Sequence, residues 1–183
     1  MILKEDVWID DDIFKFVEEN INLIEENKFT ELYKKIIRSN LKFKLNQLAF
    51  MLLTSNINPL NYMSEIPYGF ISYLDDIDKL IIPNTIIKIG MSAITNMYNL
   101  KSLYIPDSVK DIDSYAFDNC GLIKVSLPST LEHIDRYVFQ RCDLLEEIEY
   151  RGTIEQWKNL RKNPGWKAKS NIKRVKCIDG STK

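Results

Sequence analysis

Few residues in this chain could carry out a reaction. Its one histidine, His133, stands in the stretch LEHID. Imidazole suits acid–base work near neutral pH, but only with a nucleophile, a carboxylate or a metal set beside it. Because Leu131 and Ile134 on either side hold apolar places of a repeat, His133 is expected at the surface without such a cluster. Cys120, Cys142 and Cys177 form no CxxC pair, and HExxH, GxSxG and Walker-type glycine loops do not occur. Zinc, acyl-transfer and phosphate-loop chemistry therefore lack their required groups. The acidic run Asp10 to Asp12 could suggest a cation, but acids also favour a helix N-terminus, and that is the reading taken. The expectation is a non-enzymatic protein with no metal and no cofactor.

The composition is that of a folded domain: 183 residues, 45% hydrophobic, 28% charged, net charge −1, with room for one or two cores. No secretory signal or bilayer-spanning apolar run is apparent, and three cysteines cannot all pair, so a cytoplasmic setting is expected. Charge is segregated. Residues 1 to 31 hold ten acids against Lys4, Lys15 and Lys28, whereas residues 151 to 183 hold ten Lys or Arg against Glu155 and Asp179. The near-zero total argues against dedicated nucleic-acid binding.

A repeat organises the rest. Pro83, Pro106 and Pro128 recur at intervals of 23 (83 to 106) and 22 (106 to 128), and the next interval of 23 leads to Arg151. Counting from each proline, apolar residues take the third place (Ile86, Val109, Leu131) and the sixth (Ile89, Ile112, Ile134). The pairs Ala93-Ile94, Ala116-Phe117 and Val138-Phe139 follow. Met97, Cys120 and Cys142 correspond next, and then, the middle copy being one residue shorter, Leu100, Leu122 and Leu145. Each unit closes with Leu103, Val125 or Ile148, followed two places on by Ile105, Leu127 or Tyr150. GFISYLDDIDKLIIP is a partial earlier copy. Such spacing fits neither one long helix nor a simple strand; it fits a coil whose stacked units bury what a single unit cannot. Cys120 and Cys142 fall on adjacent units, where strands lie about 4.7–4.9 Å apart. A disulfide is thus within reach in an oxidising setting, but buried thiols are the preferred reading.

At these residues the sequence resembles the BspA-like, or Treponema-type, leucine-rich repeat family, most closely in IPDSVKDIDSYAFDNC and LPSTLEHIDRYVFQRC; IPNTIIKIGMSAITNM has Ile94 and Met97 in place of the Phe and Cys. The likeness extends through YRGTIEQWKNLRKNPGW and VKCIDG. It implies an α+β fold: a short leucine-rich-repeat solenoid of about four rungs over 66–150, an N-terminal helical cap region over 1–65 and a C-terminal helix-plus-strand cap over 151–183. In the last, Thr153 and Gln156 have capping-box spacing, Trp157 and Leu160 should face inward with Trp166 beside them, and IKRVKCI should be a final strand ending at Asp179-Gly180. In the first, Ile13, Phe16, Val17, Ile21 and Ile24, then Leu32, Ile36, Leu41, Leu45, Leu48 and Leu52, have helical spacing, with Thr30 as an N-cap and Pro59 as the exit.

Function must then lie on a surface. Strand alternation stacks two outward rows, Lys79, Ser102, Lys124, Glu147 and Ile81, Tyr104, Ser126, Glu149. Tyr104 beside Ile81 forms an apolar centre with a charged rim, the composition of a protein-binding patch. A basic patch of Lys158, Arg161, Lys162 and Lys169 is the alternative. The resemblance, with Ile-, Lys- and Asn-rich usage typical of an AT-rich genome, implies a protein-interaction module, most sharply a phage-encoded inhibitor of a host defence enzyme acting in the host cytoplasm. The competing reading is a nucleic-acid mimic or binder using the acidic or basic end. A homodimer is left open.

Overall fold

The computed structural model describes residues 11–25, 28–40, 49, 52–53, 58–74 and 77–182. It begins with helices α1 (Asp11–Glu19), α2 (Ile21–Glu25) and α3 (Phe29–Arg38). Asp11 and Asp12 sit in the first turn of α1, where the helix dipole favours them. Ile13, Phe16, Val17, Ile24, Leu32 and Ile36 are buried as their spacing predicts. The helical reading needs correction in two places. Asn20, itself buried, donates through its amide to Phe16 O at 2.7 Å and accepts from Lys35 Nζ at 2.8 Å. A side chain that serves the backbone competes with the helix ladder; the helix breaks there and Ile21 turns outward, 44% exposed. Thr30 is not a cap but lies inside α3, whose N-cap position is Lys28. Leu41, Leu45 and Leu48 fall outside the described residues, while Ala49 and Leu52 are helical and buried. Pro59 opens a short 3-10 turn, Pro59–Tyr62, capped by Asn58.

From residue 65 the chain winds as a three-sided coil. The first face is a parallel sheet of β1 (Glu65–Ile66), β3 (Lys88–Ile89), β6 (Asp111–Ile112), β8 (His133–Ile134) and β10 (Arg161–Lys162). The second carries β2 (Ile71–Ser72) and β4 (Ile94–Thr95) and continues as backbone hydrogen bonds through Ala116, Val138 and Trp166. The third holds β5 (Ser102–Tyr104), β7 (Lys124–Leu127), β9 (Glu147–Tyr150) and β11 (Arg174–Cys177), with β12 (Gly180–Thr182) antiparallel on its far edge. Neighbours pair at like places of the repeat: Leu103 with Val125, Val125 with Ile148, Leu127 with Tyr150. Successive first-face partners stand 23 (65 to 88), 23 (88 to 111) and 22 (111 to 133) residues apart. The shorter middle unit closes up at Gly121, where a Cβ would come within 1.9 Å of Tyr98 O.

Strand pairing counts five turns, against the expected four or so. The fifth is built by residues that the repeat pattern had left in the cap. His133 and Arg161 are 28 residues apart because helix α4 (Ile154–Asn159) is inserted between β9 and β10. Its N-terminus is the expected capping box, Thr153 Oγ1 accepting from Gln156 N and Gln156 Oε1 from Thr153 N; Asp179 also accepts from Ile154 N at 2.8 Å. The Asp179-Gly180 turn does more than end a strand, since it reverses the chain into β12.

One apolar core runs through all the turns, and every predicted inward repeat residue from Ile86 to Tyr150 is buried. Inside it the rings of Phe117 and Phe139 stack with centroids 5.4 Å apart; Phe139 meets Trp166, Trp166 meets Trp157, and Trp157 meets Tyr150. The N-terminal helices close the opposite end: Tyr33 OH donates to Tyr68 O and its ring meets Phe70 edge-on. Phe117→Ala should open a cavity under two turns and cost about 3–5 kcal/mol, read as a drop in the urea midpoint; an unchanged midpoint would contradict this register.

Candidate functional site

The two outward rows form on the third face, with changes that matter. Ser102 pairs with Lys124 and Tyr104 with Ser126; Ser126 in turn faces Glu149, and Glu147 faces Arg174. Lys79 and Ile81 do not join. The sheet begins at β5, so these two residues lie on coil before it, with Ile81 76% exposed. The expected Ile81–Tyr104 ladder contact is therefore not a strand pairing.

The centre is Tyr104, 57% exposed, and the residue that shapes it was not among those picked from the sequence. The Arg151 guanidinium lies over its ring, 4.2 Å from the centroid, a cation–π contact. Arg151 Nη1 donates to Ser126 Oγ at 2.9 Å, and Nη2 donates to Ile105 O at 2.6 Å and to Asp107 Oδ1 at 2.8 Å. Ser126, expected outward, is buried and hydrogen-bonded to it. The signal lay in the repeat: Arg151 stands where Pro83, Pro106 and Pro128 stand in the other units. A proline there has no N–H to donate, whereas Arg151 N donates to Leu127 O at 2.9 Å, carrying the ladder one residue further and swinging the side chain over the sheet.

Tyr104, Arg151, Ser102, Lys124, Ser126 and Glu149 line a shallow depression of about 350 Å3. Lys124 Nζ and Glu149 Oε2 stand 3.9 Å apart at its rim, and Glu147 is ion-paired with Arg174. Exposed pairs like these add little stability, so they characterise the surface more than they hold it.

The four basic candidates differ in what they touch. Lys162 is spent on structure: its Nζ donates to Leu160 O at 2.9 Å and to Trp157 O and sits 4.7 Å from the Trp157 ring centroid, while burial lowers its pKa. Lys169 is exposed, with Nζ 5.8 Å from the Tyr137 ring centroid; Lys158 and Arg161 are exposed near α4. His133 is half-buried in the outward row of the first face, its Nδ1 3.9 Å from Asp111 Oδ1. Among the described residues no three His, Cys, Asp or Glu side chains converge as metal ligands, and no helix is long and apolar enough to cross a membrane.

All three cysteines are unpaired and buried. Cys120 Sγ donates to Ile94 O at 3.3 Å and Cys142 Sγ to Phe117 O at 3.1 Å, so each thiol bonds to the backbone of the preceding turn. Burial drives both thiol pKa values up, that of Cys142 to about 12.

Stacked parallel turns with apolar inward places and variable outward strand places define a leucine-rich repeat solenoid. The family model described as "BspA type Leucine rich repeat region (6 copies)" matches residues 64–160, and the chain belongs to that family. The match spans the first four turns and α4; the fifth turn lies beyond it. Among solved structures the chain is similar to a leucine rich cell surface protein from Faecalibacterium prausnitzii A2-165, at 23% identity and a TM-score of 0.46 over 57% of this chain. It spans only 34% of that longer chain. No curated protein matches.

Two outcomes test this geometry. Arg151→Ala strips partners from Ile105 O and Ser126 and should cost about 1–3 kcal/mol, measured as a lower urea midpoint. At about pH 8 the raised pKa values keep Cys120 and Cys142 as neutral thiols, so a thiol-specific reagent should label them only after denaturant unfolds the chain; rapid labelling of the native protein would contradict their placement.

Proposed function

We propose that the chain is a non-catalytic protein-binding module whose third face, centred on Tyr104 and Arg151, is covered by a partner protein. The observation that carries this reading is a large, exposed aromatic ring held in one position by a guanidinium that is itself fixed by three hydrogen bonds. Tyr and Arg are the residue types enriched at the energetic centres of interfaces, and a pre-ordered pair loses less conformational entropy on binding. Lys124, Glu149, Glu147 and Arg174 supply a rim of mixed charge, suited to steering and orienting a partner more than to holding it. Ile81, exposed on the coil before β5, offers further apolar surface. In its narrower form the partner is a host defence enzyme and the chain a phage-encoded inhibitor that occludes it; the family resemblance and the Ile-, Lys- and Asn-rich residue usage support that form.

The test is affinity capture from the native host with the wild-type chain, followed by measured affinities for the captured protein. Tyr104→Ala should shift stability by no more than about 1 kcal/mol but weaken binding by about 2 kcal/mol or more, and Lys124→Glu should mainly slow association, more so at low salt. Normal binding by Tyr104→Ala, with loss on charge reversal of Lys158, Arg161 and Lys169, would move the site to the C-terminal region. An inhibitor must also lower the captured enzyme's activity in a Tyr104-dependent way. Light scattering that shows a dimer dissociated by Tyr104→Ala would identify the partner as a second copy.

A further inference from the structure

The second face of the coil carries a larger depression, of about 550 Å3, spanning the first to fourth turns. Its chemistry differs from that of the Tyr104 surface. At its base the hydroxyls of Ser72 and Thr95, both buried, lie 2.9 Å apart, with either as donor; each oxygen keeps further hydrogen-bonding capacity. Beside them Asn119 Nδ2 donates to Asn96 Oδ1 at 2.7 Å and to Tyr98 OH at 3.0 Å. This fixes both amides, and no protein partner among the described residues engages Asn96 Nδ2 or Asn119 Oδ1. A donor and an acceptor are thus presented side by side. At the far end Arg141 grips Asp118 with Nε on Oδ1 at 3.0 Å and Nη2 on Oδ2, and Gln140 steadies the same carboxylate. Around the opening stand the exposed rings of Tyr68, Tyr73 and Tyr98.

We propose that this pocket binds a neutral saccharide, independently of the protein-binding face. Hydroxyl groups donate and accept at once, as the Asn96–Asn119 and Ser72–Thr95 pairs require, and the apolar C–H faces of a sugar ring can lie on tyrosine rings that are apolar in body and polar at the tip. Among the described residues the only charged side chains in the lining are Asp118 and Arg141, and they neutralise one another, so these residues offer a charged ligand no free counter-charge. An apolar ligand would strip water from fixed amides and hydroxyls without replacing their hydrogen bonds. An extended peptide cannot pair between these turns, because the backbone N–H groups of Ile71, Tyr73, Ile94 and Asn96 are already bonded to the next turn. The polar groups recur at the rung spacing, about 4.8 Å, close to the length of one pyranose unit, so an oligosaccharide can be read one unit per turn.

The experiment titrates the full chain with maltotriose, cellotriose and chitotriose, following tyrosine fluorescence and calorimetric heat, with a neutral Gly-Ser peptide and anionic sialyllactose as comparisons. At least one neutral trisaccharide should bind. Thr95→Val, which keeps shape but removes the hydroxyl, and Tyr98→Ala, at the surface, should each weaken it about tenfold or more, with urea midpoints showing both variants folded. Tyr104→Ala should bind the sugar as wild type does, which separates this site from the protein-binding face. Absence of saturable binding by all three trisaccharides, tighter binding of the peptide or of sialyllactose, or affinity unchanged in both pocket variants would each overturn the proposal.

Discussion

Everything in this molecule depends on in-register parallel pairing of one turn with the next. A turn of 22 or 23 residues has too few apolar side chains to enclose a core, and its backbone groups find partners only across a turn boundary. Stacking answers both needs at once. Ile89 meets Ile112 and Ile112 meets Ile134 inside, while Asp113 N donates to Ile89 O and Asp135 N to Ile112 O along the wall. A slip of one residue would turn every strand residue to the wrong side. The stacked rings of Phe117 and Phe139, ending edge-on against Trp166, need the same register to touch at all.

The constraint creates two ends, and the chain closes them differently. At the start, helices carrying their own apolar residues cover the first turn, with Tyr33 joining the two parts. At the other end the coil makes a fifth turn with little sequence likeness to the others, fills it with Trp157, Leu160 and Trp166, and seals its third-face edge with the β11–β12 hairpin. An antiparallel edge strand rich in exposed polar residues limits addition of further strands.

Register governs the outside as strictly as the inside, so a surface that recognises something must come from departures from the repeat. The charge pairs Lys88–Asp113 and Lys124–Glu149 are what any outward ladder tolerates. Arg151, in the place that three prolines hold elsewhere, is a departure: it gains a backbone donor, covers Ser126 and fixes Tyr104. Asn96 and Asn119 are departures of another kind. Their left-handed backbone, φ 56° and 57°, is shared by Tyr73, Arg141 and Lys169 at the same place, which makes the conformation part of the coil. Asparagine accepts it at low cost and puts an amide there, so neighbouring turns can present linked amides on the second face.

Much of the architecture is legible in the sequence alone, since the relevant signals are short-range and repeated. The proline period, the inward places from Ile86 to Tyr150, the capping box at Thr153 and Gln156 and the alternating IKRVKCI strand depend on local chemistry or on copies of one pattern that average out exceptions. The pairing of Ser102 with Lys124 and of Tyr104 with Ser126 follows from the same period. What only the tertiary structure decided are the contacts that the period does not carry. Arg151 reaches Ile105, 46 residues back, because two turns of stacking bring them together. Ser126 is buried by that side chain and not by its own place in the strand. The Asn20 amide that bonds to Phe16 O where the helix breaks is itself held by Lys35, 15 residues on, and the fifth turn exists because α4 bridges from β9 to β10 and returns the chain to register. A repeat specifies where each backbone place lies; which side chains at neighbouring places combine into a site depends on three-dimensional packing between turns, and no one-dimensional spacing encodes it.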